Sequence, residues 1–120
     1  MKTYCVYIMA SFRRVFYTGT TSRLEHRVWQ HKNDVDPESF CARYRVHRLV
    51  YFEKYSDPIT AINREKKVKR LTRAEKIALI EAVNPKWRDL SEGWGKPMKH
   101  MNSKSRRNLN KQSLRAHDQH

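Results

Sequence analysis

Two runs rich in β-branched and aromatic side chains, YCVYIM at 4–9 and VFYTG at 15–19, are joined only by Ala10 to Arg14, and a helical pattern starts almost directly behind the second. That spacing leaves little choice. So short a connection joins neighbouring antiparallel strands, because a parallel return needs a crossover of roughly a dozen or more residues. Ser22 followed by Glu25 fits a capping box, the hydroxyl accepting from first-turn amides while the carboxylate reaches back, which predicts a helix from Arg23 to Lys32. Gly19, the only glycine before residue 93, falls where the chain must turn from strand to helix. Tyr7, Tyr17, Arg27 and His31 crowd into this stretch, and polar and aromatic groups gathered so densely are more typical of a site than of a core.

Residues 33–43 (NDVDPESFCAR) hold Asp and Pro without periodicity and read as a loop, after which RVHRLVYFEKY, at about 45–55, alternates enough to be a third strand. Asp57 with Pro58 behind it opens a helix ending near Arg70. Thr72 and Glu75 form a second capping box for a helix to about Ala82, closed by Asn84-Pro85. The order predicts an α/β domain over 1–90, with a small central three-stranded, mostly antiparallel sheet flanked by about three α-helices. From Ser91 onward, basic residues and scattered polar ones outnumber anything that could be buried, so 91–120 is expected to be a disordered basic tail.

At 120 residues the chain suffices for one domain with a single modest core. Its formal charge of +14 calls for a polyanionic partner, nucleic acid first and anionic membrane second, through long-range attraction and counterion release. No apolar run approaches the ~20 residues that span a bilayer, and Phe12, Arg13 and Arg14 interrupt the apolar start too early for a signal peptide. A soluble, cytoplasmic monomer is expected. Cys5 and Cys41 lack both metal-ligand spacing and the density of a disulfide scaffold, so they read as reduced thiols.

At about 100° per residue, Arg27 and His31 lie one turn apart beside the Leu24–Val28 stripe of their helix and would flank the sheet. Glu65 falls inside the stripe made by Ala61 and Val68. A carboxylate there is costly unless it is ion-paired or binds a cation, which makes it the least ordinary acid in the chain.

CVY at 5–7, YTG at 17–19, RLEHRVWQH at 23–31 and AINREKKVKRLTRAEKIALIEAVNPKWRDL at 61–90 together resemble the GIY-YIG nuclease superfamily. The similarity is to small stand-alone members like the N-terminal nuclease module of an excinuclease. The resemblance implies an endonuclease that hydrolyses DNA phosphodiesters in repair or nucleic-acid processing. It casts Tyr7 as general base for the attacking water, Tyr17 as a residue lining the site, Arg27 as holder of the scissile phosphate and His31 as an assisting group. It makes Glu65 the ligand of one Mg²⁺ or Mn²⁺ ion.

Several positions depart from the family pattern. Cys5 replaces Gly and Thr18 replaces Ile in the motif, Thr20 and Thr21 stand where some relatives carry lysine, and Ile77 stands where others carry asparagine. These departures sustain an alternative: a catalytically weak or inactive module that keeps the fold and binds DNA or RNA.

Arg64, Lys66, Lys67, Lys69, Arg70 and Arg73 form the densest basic run, and with Gly19, Arg23 and Lys32 they are the candidate nucleic-acid contacts, DNA ahead of RNA. Plainer readings stand beside each candidate. The tyrosines could pack the sheet, Arg27 and His31 could be a solvated helix edge, Glu65 could pair with a neighbouring cation, and Trp29 and Trp87 read as packing residues.

Overall fold

Strand β1 (Tyr4–Ala10) is the middle of a three-stranded sheet, with β2 (Phe16–Thr21) on one side and β3 (Arg48–Tyr55) on the other, both antiparallel to it. The computed structural model of the protein describes residues 2–94. Helices α1 (Leu24–Lys32), α2 (Phe40–Tyr44), α3 (Pro58–Arg70) and α4 (Arg73–Val83) complete the described fold. The expected α/β sandwich with a three-stranded sheet is therefore observed, and its strand pairing is antiparallel throughout.

Because successive strand residues face opposite ways, β1 feeds two cores. Val6, Ile8 and Ala10 pack with Ala61 and Val68 of α3, Ile80 of α4 and Trp87. Tyr7 and Met9 pack on the other face with Val28 of α1, Cys41 of α2 and Val46. A strand covered on both faces must be apolar along its length, and from Cys5 to Ala10 every residue is buried. Each large side chain so buried contributes about 1.5–3 kcal/mol before entropy is set against it. On β3 a bulge keeps both faces supplied. Ile8 pairs with Tyr51 and Met9 with Leu49, so Val50 is the extra residue and lies with Tyr51 in the first core while Leu49 and Phe52 serve the second.

The hairpin is closed at Ser11, whose amide donates to the Val15 carbonyl at 3.0 Å and whose hydroxyl accepts from the Val15 amide at 3.0 Å. The caps of α3 and α4 are those expected. The Asp57 carboxylate accepts from the Thr60 amide at 2.7 Å with Pro58 opening the helix, and Thr72 and Glu75 form a complete capping box.

Elsewhere the structure corrects the expectations. No Ser22–Glu25 box forms: the N-cap of α1 is Arg23, without a side-chain bond, so Ser22 stands one residue too early to cap, and the Thr21 hydroxyl accepts from the Arg23 amide at 3.0 Å. The loop predicted over 33–43 contains the start of α2, capped by Ser39 and ended by Arg45 in a left-handed conformation. Trp87 is buried, but Trp29 is exposed and stacks on His26 instead of entering the core. Ser91 is fully buried and Trp94 packs against the second core, so the packed body runs past the predicted boundary. The rest of the proposed tail lies outside the described residues. Among those residues, no helix is long and apolar enough to cross a membrane, and both cysteines are free and buried.

Two carboxylates organise the polar ties. Asp89 accepts from Lys32 Nζ, the Leu49 amide at 3.2 Å and the Ser91 hydroxyl at 2.6 Å, bonding the C-terminal turn to α1 and β3. Glu53 accepts from Arg64 through two nitrogens and from the Tyr51 and Tyr55 hydroxyls. Burial alone would raise both carboxyl pKa values, yet these donors hold them below the ordinary range.

Asn84, at the end of α4, donates to the carbonyls of Val50 (3.0 Å) and Arg88 (2.9 Å) and accepts from the Arg88 amide (3.0 Å). Asn84→Ala strips partners from buried backbone groups. It should cost about 2–3 kcal/mol in urea unfolding, and an unchanged midpoint would show that the chain end is held otherwise.

Candidate active site

Tyr7 and Gly19 are direct partners across the β1–β2 ladder, and the tyrosine ring lies over the glycine. A Cβ at position 19 would stand 2.6 Å from Tyr7 Oη and 2.7 Å from its Cζ, far inside contact distance. Gly19 sits within β2, so its role is this close approach and not the sharp strand-to-helix turn inferred from sequence.

The Tyr7 ring is 1% exposed, and its hydroxyl meets His31 Nε2 of α1 at 3.0 Å. Tyr17, two positions before Gly19 and so on the same face of β2, completes a cluster of rings. Its centroid is 6.1 Å from that of Tyr7 and 5.1 Å from that of His31. Arg27, one turn before His31, lies against both tyrosine hydroxyls and donates to Gln30 Oε1 at 3.0 Å. Sheet and helix therefore bring together Tyr7, Tyr17, Arg27 and His31, the four expected catalytic residues.

Their protonation follows from burial. Desolvation, reinforced by Tyr17, drives the Tyr7 pKa well above that of a free phenol, and the opposing pull of Arg27 is too small to reverse it. His31 is pushed down to about 4 by burial, then by the neighbouring Arg27 and His47. Burial also disfavours the Arg27 cation, but the neighbouring Tyr7 and Tyr17 oxygens outweigh it and raise its pKa. At neutral pH the pair is a phenol beside a neutral imidazole. With the imidazole proton on Nδ1, Tyr7 donates and His31 Nε2 accepts.

A family profile describing the GIY-YIG catalytic domain matches residues 3–78. The chain belongs to the GIY-YIG superfamily. A UPF0213 protein of Clostridium perfringens is 37% identical over 81 residues, covering 68% of this chain and 86% of the relative. Another, from Staphylococcus aureus, is 33% identical over 81 residues and is matched over 98% of its length. The solution NMR structure of a UPF0213 protein from Bacillus halodurans aligns over 76% of this chain and 96% of that one, with a TM-score of 0.48 and 23% identity.

In GIY-YIG terms, the two motif tyrosines and the helix Arg and His share one face of the sheet. Glu65 belongs to α3, which covers the other face through Ala61 and Val68, and its carboxylate pairs with Lys69 at 3.2 Å. That is the ion pair weighed as its plainer reading. Among the described residues, no group of three or more His, Cys, Asp or Glu is placed to hold a metal ion.

The basic candidates divide. Arg64 is committed to Glu53, Lys32 to Asp89 and Lys69 to Glu65, while Arg73 donates to the Arg14 carbonyl at 2.8 Å and lies over Phe16. Arg23, Lys66, Lys67 and Arg70 are exposed. Asn84 does not stand in for the asparagine replaced by Ile77, since both ends of its amide are spent on backbone. Sequence reading missed Gln30, Cys41 and Phe40. Gln30 anchors Arg27, and burial under the site pushes the Cys41 thiol up to about 12. Phe40 extends the ring cluster at 6.2 Å from Tyr17.

Gly19→Ala must move the Tyr7 ring. It should lower thermal stability and change the near-UV dichroism of the tyrosines, whereas identical spectra would contradict the close approach. His31 also gives a pH signature. Its folded pKa of about 4 lies below the ~6.5 of an unfolded histidine, so the unfolded chain binds the extra proton. Stability should fall as pH drops from about 6.5 to about 4, and His31→Gln should flatten the profile in that window. Parallel profiles for the two proteins would show that His31 is not held neutral.

Proposed function

We propose that this domain binds nucleic acid, DNA ahead of RNA, by seating a backbone phosphate against Arg27 and the Tyr7 and Tyr17 hydroxyls, and that it cuts the phosphodiester slowly as a metal-dependent endonuclease. The observation that carries the reading is Arg27, a guanidinium held beside two hydroxyls and next to a phenol–imidazole pair. A fixed cation and the Tyr17 hydroxyl match the charge and acceptors of a phosphate, with the Tyr7 hydroxyl engaged by His31 beside them. The overall charge of +14 supplies long-range attraction without sequence preference.

The proton path follows from the resting states. As water attacks phosphorus and the ester P–O bond to the leaving strand breaks, the water gives its proton to Tyr7 while the phenolic proton passes to His31 Nε2, and the departing alkoxide takes a proton from solvent. An imidazole with a pKa near 4 takes that proton reluctantly, which makes the step slow. Glu65 is the residue that would hold Mg²⁺ or Mn²⁺. A single carboxylate would suit Mg²⁺, which keeps most of its waters, but Glu65 is already paired with Lys69 and belongs to the helix covering the face of the sheet opposite Arg27. When bound, such an ion neutralises charge on the phosphate and polarises water.

The second reading is a module that binds and does not cut. The Glu65–Lys69 pair favours it, because the carboxylate already has a cation.

Fluorescence anisotropy with labelled DNA in EDTA, beside nicking of supercoiled plasmid with Mg²⁺ or Mn²⁺, separates the two. The full chain should bind with steep salt dependence and nick slowly only with metal. Tyr7→Phe and Glu65→Ala should lower nicking by on the order of a hundredfold with little change in affinity, while Arg27→Ala weakens both. Binding with no nicking under any metal would establish the second reading, and nicking that survives both substitutions would place the site elsewhere.

A further inference from the structure

Helix α2 is built inside out. Its five residues turn the small Cys41 into the core, while Phe40 and Tyr44, one turn apart on one face, remain 43% and 49% exposed. Burying the large rings would have contributed more to stability than burying a thiol. Single exposed aromatics are commonplace. These two touch each other, with centroids 4.8 Å apart, and continue the ring cluster of the phosphate site. From buried His31 the centroids step 5.1 Å to half-buried Tyr17 and 6.2 Å to Phe40, so a row of rings starts at Arg27's neighbours and becomes exposed over α2. The Arg43 guanidinium stands 5.9 Å from the Tyr44 ring at its far end.

We propose that Phe40 and Tyr44 form a stacking ledge for unpaired bases, so that the preferred ligand is DNA with a single-stranded segment beside the phosphate held at Arg27. A base in an intact duplex has no free face to offer, whereas an unpaired base stacks on aromatic rings whatever its identity. Arg43 and Arg27 at the two ends supply the positive charge that a backbone running along the row requires. The ledge rests on the phosphate-site reading above and adds the substrate class: single-stranded, flapped or gapped DNA in preference to continuous duplex.

The full chain, in EDTA to prevent cutting, should be titrated by fluorescence anisotropy against a single-stranded DNA oligonucleotide, its duplex and the RNA of the same sequence. The expected result is tighter binding of single-stranded DNA than of duplex. Phe40→Ala with Tyr44→Ala should weaken the single strand by on the order of tenfold or more and leave duplex affinity nearly unchanged. Phe40→Tyr with Tyr44→Phe keeps both rings and should restore binding. A wild-type readout needs no variant: 2-aminopurine in the single strand should lose fluorescence on stacking.

Equal loss for strand and duplex, no loss for either, or unquenched 2-aminopurine would overturn the ledge, and stronger binding of the RNA would overturn the choice of DNA. Arg27→Ala distinguishes the two levels. If it leaves affinity intact while the ledge variant discriminates strand from duplex, the phosphate site is wrong and the ledge stands; the reverse pattern removes the ledge alone.

Discussion

The candidate site depends on one close approach, the Tyr7 ring lying across the backbone of Gly19. With hydrogen as its side chain, position 19 lets a tyrosine from the central strand lie flat over its neighbour and reach His31 on the covering helix. Any Cβ there would push the ring away, and with it the contact that joins sheet to α1. The same placement buries the phenol and the imidazole, and burial sets their protonation: Tyr7 keeps its proton and His31 is left without one. Packing decides the chemistry before any substrate arrives.

That arrangement accounts for the division of labour in the domain. One face of the sheet, with α1 and α2, carries the tyrosines, Arg27 and His31, while the other face, with α3 and α4, carries most of the aliphatic packing. β1 belongs to both cores, so the residues flanking Tyr7 anchor the strand from behind the site. Asp89 adds a polar tie at the margin, fixing α1 through Lys32 and β3 through the Leu49 amide. Part of the positive charge serves the fold itself. Arg64, Lys32, Lys69 and Arg73 all have intramolecular partners.

The features legible in the sequence were the local ones. Asp57 with Pro58, and Thr72 with Glu75, cap helices through atoms a few residues apart, so their spacing suffices. The order of strands and helices is likewise fixed by short connections. Ser22 misled because the helix is capped one residue later, at Arg23, which puts Ser22 and Glu25 out of capping register. α2 escaped because five residues are too few to display a period. Ser91 to Trp94 read as tail because composition is blind to Asp89 and the second core, which hold them. Tyr7, Tyr17, Arg27 and His31 could be grouped by helix geometry and family resemblance. The cross-strand pairing that explains Gly19 is non-local, and only the fold reveals it.

The most direct test of the Tyr7–His31 contact is the imidazole nitrogen spectrum of His31 by ¹⁵N NMR across a pH titration. At neutral pH it should be a neutral ring with the proton on Nδ1 and Nε2 accepting from Tyr7, it should titrate near 4, and Tyr7→Phe should shift the Nε2 resonance. A ring carrying its proton on Nε2, or titrating near the ~6.5 of a free histidine, would contradict the account.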